Sequence, residues 1–574
     1  MIKGKAISPY WFIAALGAIL FLPLLGSVHL FDWDEINFAE SAREMLITSD
    51  YGRVTINFQP FWEKPPLFIW LQATSMKVLG VNEYAARLPN ALCGIATLMV
   101  LFHYGRMYRN ATFGWFWVLV YVGTWLPHAY FKSGIIDPVF NLFMLSGMVH
   151  LALWAAAQGN RQYRHAALAG LFIGLAVLTK GPVGLLLPGL AAIAFMIVKR
   201  QWFLRPLPLL LATGVFLVTT FAWYGVETMR NGWWFLGEFI TYNLRLAQTE
   251  DAGHGGFLFY HFVVLLLGCF PASLLIFYQP KQLPESTDTQ TKNMQQLHIW
   301  MWLALAIVLV VFTIVQTKII HYSSFAYFPI TFLASSALYR WQEMEVKVPK
   351  SLVVALGCGV VLIGSSLMVG AFALSTATGM AGVLRNITLA NDVPDTQTWP
   401  IYLAIIGLLY LVVAFSGVVI AWKNQLMAGV ARILIATAVT IQLIFILMLP
   451  YVEQLSQGPM IAFVQEQAKQ DVYICAIGFK SYAQYYYGEK QPEDLASPEL
   501  LKVIAAYKDE FKTDYISPKQ FNESEMFWYL YGQIDKPVVF VAKRYKSDKI
   551  MLEYPQLKQI GAAGGYVFFR RQPF

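Results

Sequence analysis

Charged residues are scarce in this 574-residue chain, in which aspartate, glutamate, lysine and arginine together make up only 13% of the sequence. A typical soluble domain has about 25% charged residues. Hydrophobic residues make up 57% of the chain, and the mean hydropathy is +0.51. This composition excludes a disordered chain, a collagen-like fibre and a wholly water-soluble enzyme, because so apolar a surface needs a membrane to cover it.

Cysteine is also rare. The chain has four cysteines, three of which lie within apolar runs, and none has the spacing of a metal ligand. The sequence therefore gives no indication of a disulfide framework, a zinc site or a cysteine nucleophile. It also lacks a basic stripe interleaved with aromatic residues, so we expect no nucleic-acid partner. The net charge of +8 is better explained by basic cytoplasmic loops.

What the sequence does have is a series of apolar runs of about twenty residues, the length that crosses a bilayer as a helix. We predict thirteen transmembrane spans, and we interpret the first as an uncleaved helix because no clear cleavage site follows it. The predicted spans cover residues 9–30, 86–105, 112–131, 138–157, 166–180, 183–198, 207–225, 257–279, 299–317, 321–339, 351–374, 399–422 and 429–449.

Basic residues predict the orientation of these spans. Lys3 and Lys5 precede the first span. With the N-terminus placed in the cytoplasm, every later cytoplasmic connection is basic as well, which is the positive-inside pattern. This orientation places the loops 31–85 and 226–256 and the tail 450–574 outside.

The tail has its own pattern of short apolar runs. Val472–Ile477, Val538–Ala542 and Tyr566–Arg570 are strand-like, and a helix-like piece follows the first of them. We therefore predict a polytopic α-helical membrane protein with two domains. These are a transmembrane catalytic domain over residues 1–449 and an extracytoplasmic mixed α/β domain over residues 450–574.

Charged residues gather at the predicted outer ends of spans, whereas a transporter would place them along its spans, facing a pathway. In the first outer loop, Glu35–Leu46 and Leu67–Leu79 have a helical period, and we expect the first to lie on the membrane surface. Between them, the sequence Glu63-Lys64-Pro65-Pro66 predicts a fixed corner near the headgroup region. The alternative is that Lys64 only snorkels to the interface.

A second acidic residue, Asp137, directly precedes Pro138 at the outer start of the fourth span. In a functional interpretation, Asp137 is a second carboxylate near Asp34. In a structural interpretation, it caps the helix. Lys132 is close in sequence and could be its salt-bridge partner instead.

Further cations lie in the outer loops. Arg245 precedes the eighth span and could grip a phosphate with a forked pair of hydrogen bonds, or only meet lipid headgroups. Lys318, His321 and Tyr322 begin the tenth span and could complete a phosphate pocket or anchor the helix. Outer cations beside paired carboxylates, in a many-span protein, indicate a phosphate-bearing lipid substrate whose apolar tail stays in the bilayer.

The charged residues belong to a series of short motifs. These are Asp34-Glu35, Phe38-Ala39-Glu40, Ala42–Met45, Glu63–Leu67, Gly80–Glu83, Ala86–Pro89, Asp137-Pro138, Thr179–Pro182 and Lys318–Tyr322. The series, which covers roughly residues 1–340, resembles the polyprenyl-phosphate-sugar-dependent glycosyltransferases of the GT-C fold. The chain is similar to the protein O-mannosyltransferases and, more closely, to the bacterial aminoarabinose transferases that modify lipid A.

The resemblance implies roles for the candidate residues. The candidate catalytic residues are Asp34, Glu35 and Asp137, with Asp34 as the main acid. The candidate residues that bind the carrier phosphate or the donor are Lys64, Glu63, Arg245, Lys318, His321 and Tyr322. No cofactor is implied, and nothing in the sequence indicates a divalent metal.

The resemblance also implies a location and partners. We expect a multi-pass protein of the bacterial inner membrane, with a periplasmic active site surrounded by membrane lipids. Its expected partners are a sugar donor on polyprenyl (undecaprenyl) phosphate and a lipid or glycan acceptor such as lipid A.

Two positions depart from the family pattern. The chain has Phe38 and Phe61 where the aminoarabinose transferases usually have tyrosine, so two hydroxyl groups are missing and the sugar and acceptor stay open. Transfer to a protein hydroxyl is therefore one alternative. A lipid-sugar flippase and a membrane scaffold are two others. The flippase would need polar residues deep in the spans, and the scaffold would leave the outer acid–base cluster unexplained.

Overall fold

The computed structural model describes residues 8–61, 63–233, 236–241, 245, 255–280, 289–344, 348–376, 379, 382, 398–511 and 516–573. Lys3 and Lys5, on which the predicted orientation partly rests, lie outside these residues. So does most of the segment 242–254, which flanks Arg245.

The thirteen predicted apolar runs are all mostly helical in the structure. The seventh is bent by 50° between two helices, and the eighth is interrupted at Pro271. The helices of these runs are Pro9–Phe21, Glu83–Tyr108, Ala111–Val122, Trp125–Ala129, Asp137–Ala156, Arg161–Lys180, Val183–Lys199, Pro206–Phe221, Tyr224–Asn231, Tyr260–Gly268, Ala272–Leu275, Thr289–Ile314, Tyr327–Met344, Lys350–Leu374, Ala404–Trp422, Leu426–Leu443 and Leu449–Ser456.

Within the described ranges, six helical segments are long and apolar enough to cross a membrane, or seven if the bent pair is one span. They are Glu83–Tyr108, Asp137–Ala156, Lys292–Ile314, Lys350–Leu374, Ile401–Trp422 and Leu426–Ser456. The chain is thus a largely helical protein with several candidate membrane spans, and the count of thirteen stays a prediction.

The loop 31–85, which we call the outer loop after its predicted location, contains the two predicted helices, Asp34–Thr48 and Leu67–Leu79. A two-stranded sheet, with strands Thr55–Ile56 and Gln59–Pro60, lies between them. The Glu-Lys-Pro-Pro corner follows this sheet and leads into the second helix, because a proline is well suited to the start of a helix.

The expectation that the first of these helices lies on the membrane surface is wrong, since every residue in Glu35–Met45 is buried. The polar side chains find partners inside the protein. Arg43 donates hydrogen bonds of 2.7 and 2.8 Å to Glu40 and one of 2.7 Å to the carbonyl of Lys490. Such charges are tolerated in a buried helix only because they are paired.

The last part of the chain folds around a four-stranded mixed sheet. In spatial order, its strands are Tyr473–Ala476, Val538–Lys543, Tyr566–Arg571 and Lys558–Ala563. The first two strands are parallel and the other neighbours are antiparallel. The three strand-like runs of the sequence are therefore strands, and Lys558–Ala563 adds one that we did not predict. The main helices around the sheet are Gly458–Ala468, Pro498–Phe511, Pro518–Tyr531 and Ser547–Glu553.

This sheet-bearing region packs directly on the outer loop. The hydroxyl of Tyr487 accepts a hydrogen bond of 2.7 Å from the backbone of Leu30 and donates one of 3.1 Å to Glu83. The side chain of Asn57 donates a bond of 2.9 Å to Glu525. These contacts hold the region over the end of the helix bundle at which the charged motifs meet.

Candidate active site

A cavity of about 420 Å³ lies where the outer loop, the start of the tenth predicted span and the sheet-bearing region meet. It brings together most of the site residues predicted from the sequence. The predicted residues that line it are Asp34, Glu35, Glu63, Lys64, His321 and Tyr322.

The two predicted aspartates both lie close to His321. The Nε2 atom of His321 is 3.1 Å from Asp34 Oδ2 and 3.9 Å from Asp137 Oδ2. With its proton on Nε2, the imidazole donates a hydrogen bond to Asp34. Asp137 Oδ2 is buried and has no hydrogen-bond partner among the described residues. The arrangement therefore keeps an unused carboxylate oxygen directly behind the cavity.

Lys180 is the ion-pair partner of Asp137, since its Nζ donates a hydrogen bond to Asp137 Oδ1. Lys132, the alternative partner, donates instead to the carbonyl of Pro23 at 3.0 Å. Asp137 begins the helix Asp137–Ala156 without a side-chain capping bond. These contacts favour the ion-pair interpretation over the cap.

Asp34 is held in its ionised form. Burial alone would raise its pKa, but the hydrogen bond from His321 and the charges of His321, Lys64 and Lys180 outweigh burial and lower the pKa to about 2. The carboxylate is thus negatively charged throughout the neutral pH range and faces a cavity rich in cations.

Lys64 and Glu63 occupy the corner before the helix Leu67–Leu79. Burial lowers the pKa of Lys64 from its ordinary value, although the carboxylates of Glu63, Asp34 and Asp137 act in the opposite direction. Lys64 is therefore partly desolvated inside a pocket, which is not the setting of a lysine that only snorkels to an interface. A partly desolvated ammonium is a strong partner for a phosphate.

Glu35 has a different environment from its neighbour in sequence. One carboxylate oxygen accepts hydrogen bonds of 2.8 Å from Arg87 and from the backbone of Phe31. The other accepts one of 3.0 Å from Arg87 and one from the backbone of Gly134. Although burial opposes it, the charge of Arg87 lowers the pKa of Glu35. These contacts indicate that Glu35 anchors the loop, rather than taking part in a reaction.

Two predicted residues near the tenth span have different positions. Tyr322 lines the cavity, and its ring centre is 5.2 Å from the ammonium of Lys180. Lys318 is not among the described residues that line the cavity, and it donates three hydrogen bonds of 2.6–2.8 Å to carbonyl groups at the end of the helix Thr289–Ile314. Its contacts indicate a helix-capping role.

Arg245 is exposed and is not among the described residues that line the cavity. The two phenylalanines that depart from the family pattern are both buried. Phe38 packs edge-to-face on Phe68, with ring centres 5.8 Å apart. A phenylalanine at this position is thus part of the apolar wall of the cavity.

Sequence reasoning did not select several residues that line the cavity. Lys180 is one of the charges at the predicted outer ends of the spans, but the sequence assigned it no role, and it assigned none to Asp32 and Trp33. Lys480 and Tyr482 come from the sheet-bearing region. No local signal singled them out, because only the folded chain brings them beside Asp34.

A metal site does not emerge from this geometry. Within the part of the chain that the structure describes, no group of three or more histidine, cysteine, aspartate or glutamate side chains is arranged to hold a metal ion.

Comparisons with known proteins agree with the predicted family resemblance. The family model described as dolichyl-phosphate-mannose-protein mannosyltransferase matches residues 63–224, which include Lys64, Asp137 and Lys180. The predicted resemblance is confirmed. The chain is 29% identical over 279 residues to the undecaprenyl phosphate-alpha-4-amino-4-deoxy-L-arabinose arabinosyl transferase of Shewanella sediminis, covering 47% of this chain and 49% of the relative.

Other similar proteins carry the same description. The transferase of that name from Edwardsiella ictaluri is 26% identical over 276 residues, covering 46% of this chain and 48% of the relative. The chain thus spans about half the length of the curated relatives it matches. The crystal structure of ArnT from Cupriavidus metallidurans bound to undecaprenyl phosphate has a TM-score of 0.73 and 18% identity, and the match covers 99% of this chain and 98% of that one. The fold of the chain is therefore that of ArnT over nearly its whole length.

Proposed function

We propose that this chain is an integral-membrane glycosyltransferase that moves a sugar from a polyprenyl phosphate carrier to an acceptor outside the bacterial inner membrane. The acceptor is lipid A or a related cell-envelope lipid. The observation that carries this proposal is the cavity at one end of an apolar helix bundle, which is lined by Asp34, Lys64 and His321, with Asp137 Oδ2 3.9 Å from the His321 ring. The relatives named for an undecaprenyl phosphate donor support it.

The proposal includes a topology. With the N-terminus in the cytoplasm, thirteen spans in residues 1–449 place the domain 450–574 in the periplasm, above the site. The helix Glu83–Tyr108 supports this orientation, because it starts beside the sheet-bearing region and is followed at its far end by Arg109, which pairs with Glu343 at 2.9 Å. The basic connections then lie at the end of the bundle opposite the cavity.

In this mechanism the lipid tail of the donor stays in the bilayer and its phosphate enters the cavity. Lys64 binds the phosphate, with Arg245 as a predicted second cation from the loop 226–256. As the bond between the anomeric carbon and the phosphate oxygen breaks, negative charge grows on the phosphate, and the nearby cations stabilise it. An acceptor oxygen forms the new bond to the anomeric carbon, and polyprenyl phosphate leaves.

The charge state of Asp34 bears on the acceptor. A carboxylate whose pKa is about 2 is a weak proton acceptor at neutral pH, because general bases work best with a pKa near the operating pH. A phosphate oxygen is already anionic and needs no base. Asp34 therefore suits a phosphate acceptor, and its role is to orient the donor sugar and to fix His321 and Lys64.

A protein hydroxyl is the second candidate acceptor, because the matching family model is described as a protein mannosyltransferase. That reaction would require a proton to be removed from the hydroxyl. Asp34 lines the cavity and is the predicted proton acceptor, although its low pKa makes it a weak one.

The test is sugar transfer by purified protein in detergent. A radiolabelled polyprenyl-phosphate sugar is offered with lipid A or with a hydroxyl-bearing peptide, and Asp34→Asn is the inactive control. We expect label on lipid A with the unaltered protein only. Label on the peptide would move the chain to the protein-glycosylating branch. Binding of the donor without transfer to either acceptor would contradict the enzyme and favour the flippase alternative.

A further inference from the structure

One wall of the cavity takes no part in the mechanism above. It consists of Trp33 from the outer loop and of Lys480 and Tyr482 from the sheet-bearing region. We call this set the outer wall. Two of its three residues come from the sheet-bearing region, which packs on the outer loop at the end of the helix bundle.

The outer wall combines a cation with two aromatic rings. The ammonium of Lys480 lies 4.7 Å from the ring centre of Trp33 and 5.3 Å from that of Tyr482. The two rings are perpendicular, with centres 6.3 Å apart. Lys480 is exposed, and it has no ion pair among the described residues. Its charge is thus available to a ligand.

The backbone of the outer wall is held in place by Asp32. The hydroxyl of Ser481 donates a hydrogen bond to Asp32 Oδ2, and the backbone of Tyr482 donates one of 3.3 Å to Asp32 Oδ1. Asp32 is adjacent to Trp33 in sequence, so one carboxylate fixes both halves of the wall relative to each other. The ligand-facing groups are therefore preorganised before a substrate arrives.

The cations of the cavity have two kinds of surroundings. Lys180 pairs with Asp137, and Lys64 follows Glu63 in the corner before the helix Leu67–Leu79. Lys480 instead lies over the rings of Trp33 and Tyr482. A donor with one phosphate needs only Lys64 and Lys180. A second cation flanked by aromatic faces fits a second ligand that has both a sugar ring and an anionic group, because sugar rings pack on aromatic faces and phosphate pairs with ammonium.

We propose that Lys480, Tyr482 and Trp33 form the acceptor subsite, and that this subsite binds a phosphate-bearing sugar headgroup. The inference rests on the proposed function and deepens it, since it names the part of the protein that recognises the acceptor. It assigns the sheet-bearing region a direct part in substrate selection. Lys480 holds the acceptor through its charge and does not touch the bond that breaks.

The experiment measures the binding of labelled lipid A and the KM for lipid A in transfer. Lys480→Gln should weaken lipid A binding and raise this KM by about tenfold, which is typical of losing one charged hydrogen bond. Lys480→Arg should restore most of the loss. The affinity for the polyprenyl-phosphate sugar should stay within about twofold. Lys502→Gln is the matched control, because Lys502 is an exposed lysine of the same region that does not line the cavity.

Lipid A that lacks one phosphate is the second probe. If Lys480 binds that phosphate, the unaltered protein should bind this probe about tenfold more weakly than it binds normal lipid A. Lys480→Gln should bind the two lipids almost equally well. Equal losses in both proteins would overturn the assignment, as would a weakened donor affinity in Lys480→Gln. Failure of all transfer with normal lipid A binding would contradict the proposed reaction and not the subsite, because binding is measured separately.

Discussion

The two sides of the cavity are built on different principles. On the membrane side, Asp34, Asp137, Lys180 and His321 pair with one another at close range. On the outer side, Lys480 lies over aromatic rings without an ion pair among the described residues. Mutually paired charges hold a fixed electrostatic field, which suits bond breaking. An available charge beside apolar faces suits recognition, so the comparison separates chemistry from acceptor binding.

The sharpest test of this division is Asp34→Asn. It keeps the size of the side chain but removes the negative charge beside His321 and Lys64, so we expect transfer to fall by about 10³-fold, as when one preorganised electrostatic group is removed. Asp50→Asn, an exposed change in the same loop, should leave the rate nearly unaltered. Transfer by Asp34→Asn at more than a tenth of the normal rate would remove Asp34 from the mechanism.

Lys64 tests whether the membrane side holds the donor. Lys64→Ala should weaken donor affinity by about 30-fold, as expected for a charged hydrogen bond, with little change in lipid A binding. Burial lowers the pKa of Lys64, so as the pH rises its ammonium should lose its proton before the pH reaches the ordinary lysine value of 10.5. The unaltered protein should lose donor affinity over the same rise in pH. Lys64→Arg should keep its affinity to higher pH, since arginine stays charged. If donor affinity depended on pH in the same way in the unaltered protein and in Lys64→Arg, the desolvation of Lys64 would be contradicted.

Glu35 tests whether an acid beside the cavity can be structural. Glu35→Gln leaves the buried guanidinium of Arg87 without its counter-charge, and removing one partner of such a pair costs about 3–5 kcal/mol. We therefore expect a clear drop in the thermal unfolding midpoint. The transfer rate per folded molecule should stay within about threefold of normal. The reverse result, in which stability is normal but transfer is lost, would mean that Glu35 is a catalytic residue, as the sequence predicted.

The membrane side could largely be predicted from the sequence, because a bilayer dictates helices of about twenty apolar residues and the motifs place acids at their ends. The pairing of Asp137 with Lys180 also follows from topology. The helices Asp137–Ala156 and Arg161–Lys180 are consecutive and antiparallel, so the start of one lies beside the end of the other. Lys132 is nearer in sequence, but the turn Tyr130–Lys132 directs it to a carbonyl group.

The outer side could not be predicted in the same way. Lys480 and Tyr482 meet Trp33 only through tertiary packing between the two ends of the chain, and no periodicity reports such a contact. Lys318 is the opposite case, a residue that the sequence predicted for the site but that the fold uses elsewhere. Its position in the sequence suits a phosphate pocket, yet the unpaired carbonyl groups at the end of the helix Thr289–Ile314 take up its hydrogen bonds.

The smallest expected effect concerns Asp32, which joins the outer wall to the loop. Burial raises its pKa from 3.8 to about 6, although the hydrogen bond from Ser481 opposes the shift. Between these two values the folded protein binds more protons than the unfolded chain, so this group makes stability fall as the pH rises from about 4 to about 6. Asp32→Asn cannot ionise and should flatten that part of the profile of unfolding midpoint against pH. Asp548→Asn, an exposed change in the sheet-bearing region, should leave the slope unaltered. Parallel profiles for Asp32→Asn and the unaltered protein would mean that Asp32 is not desolvated, and that the two halves of the outer wall are less tightly joined than their hydrogen bonds indicate.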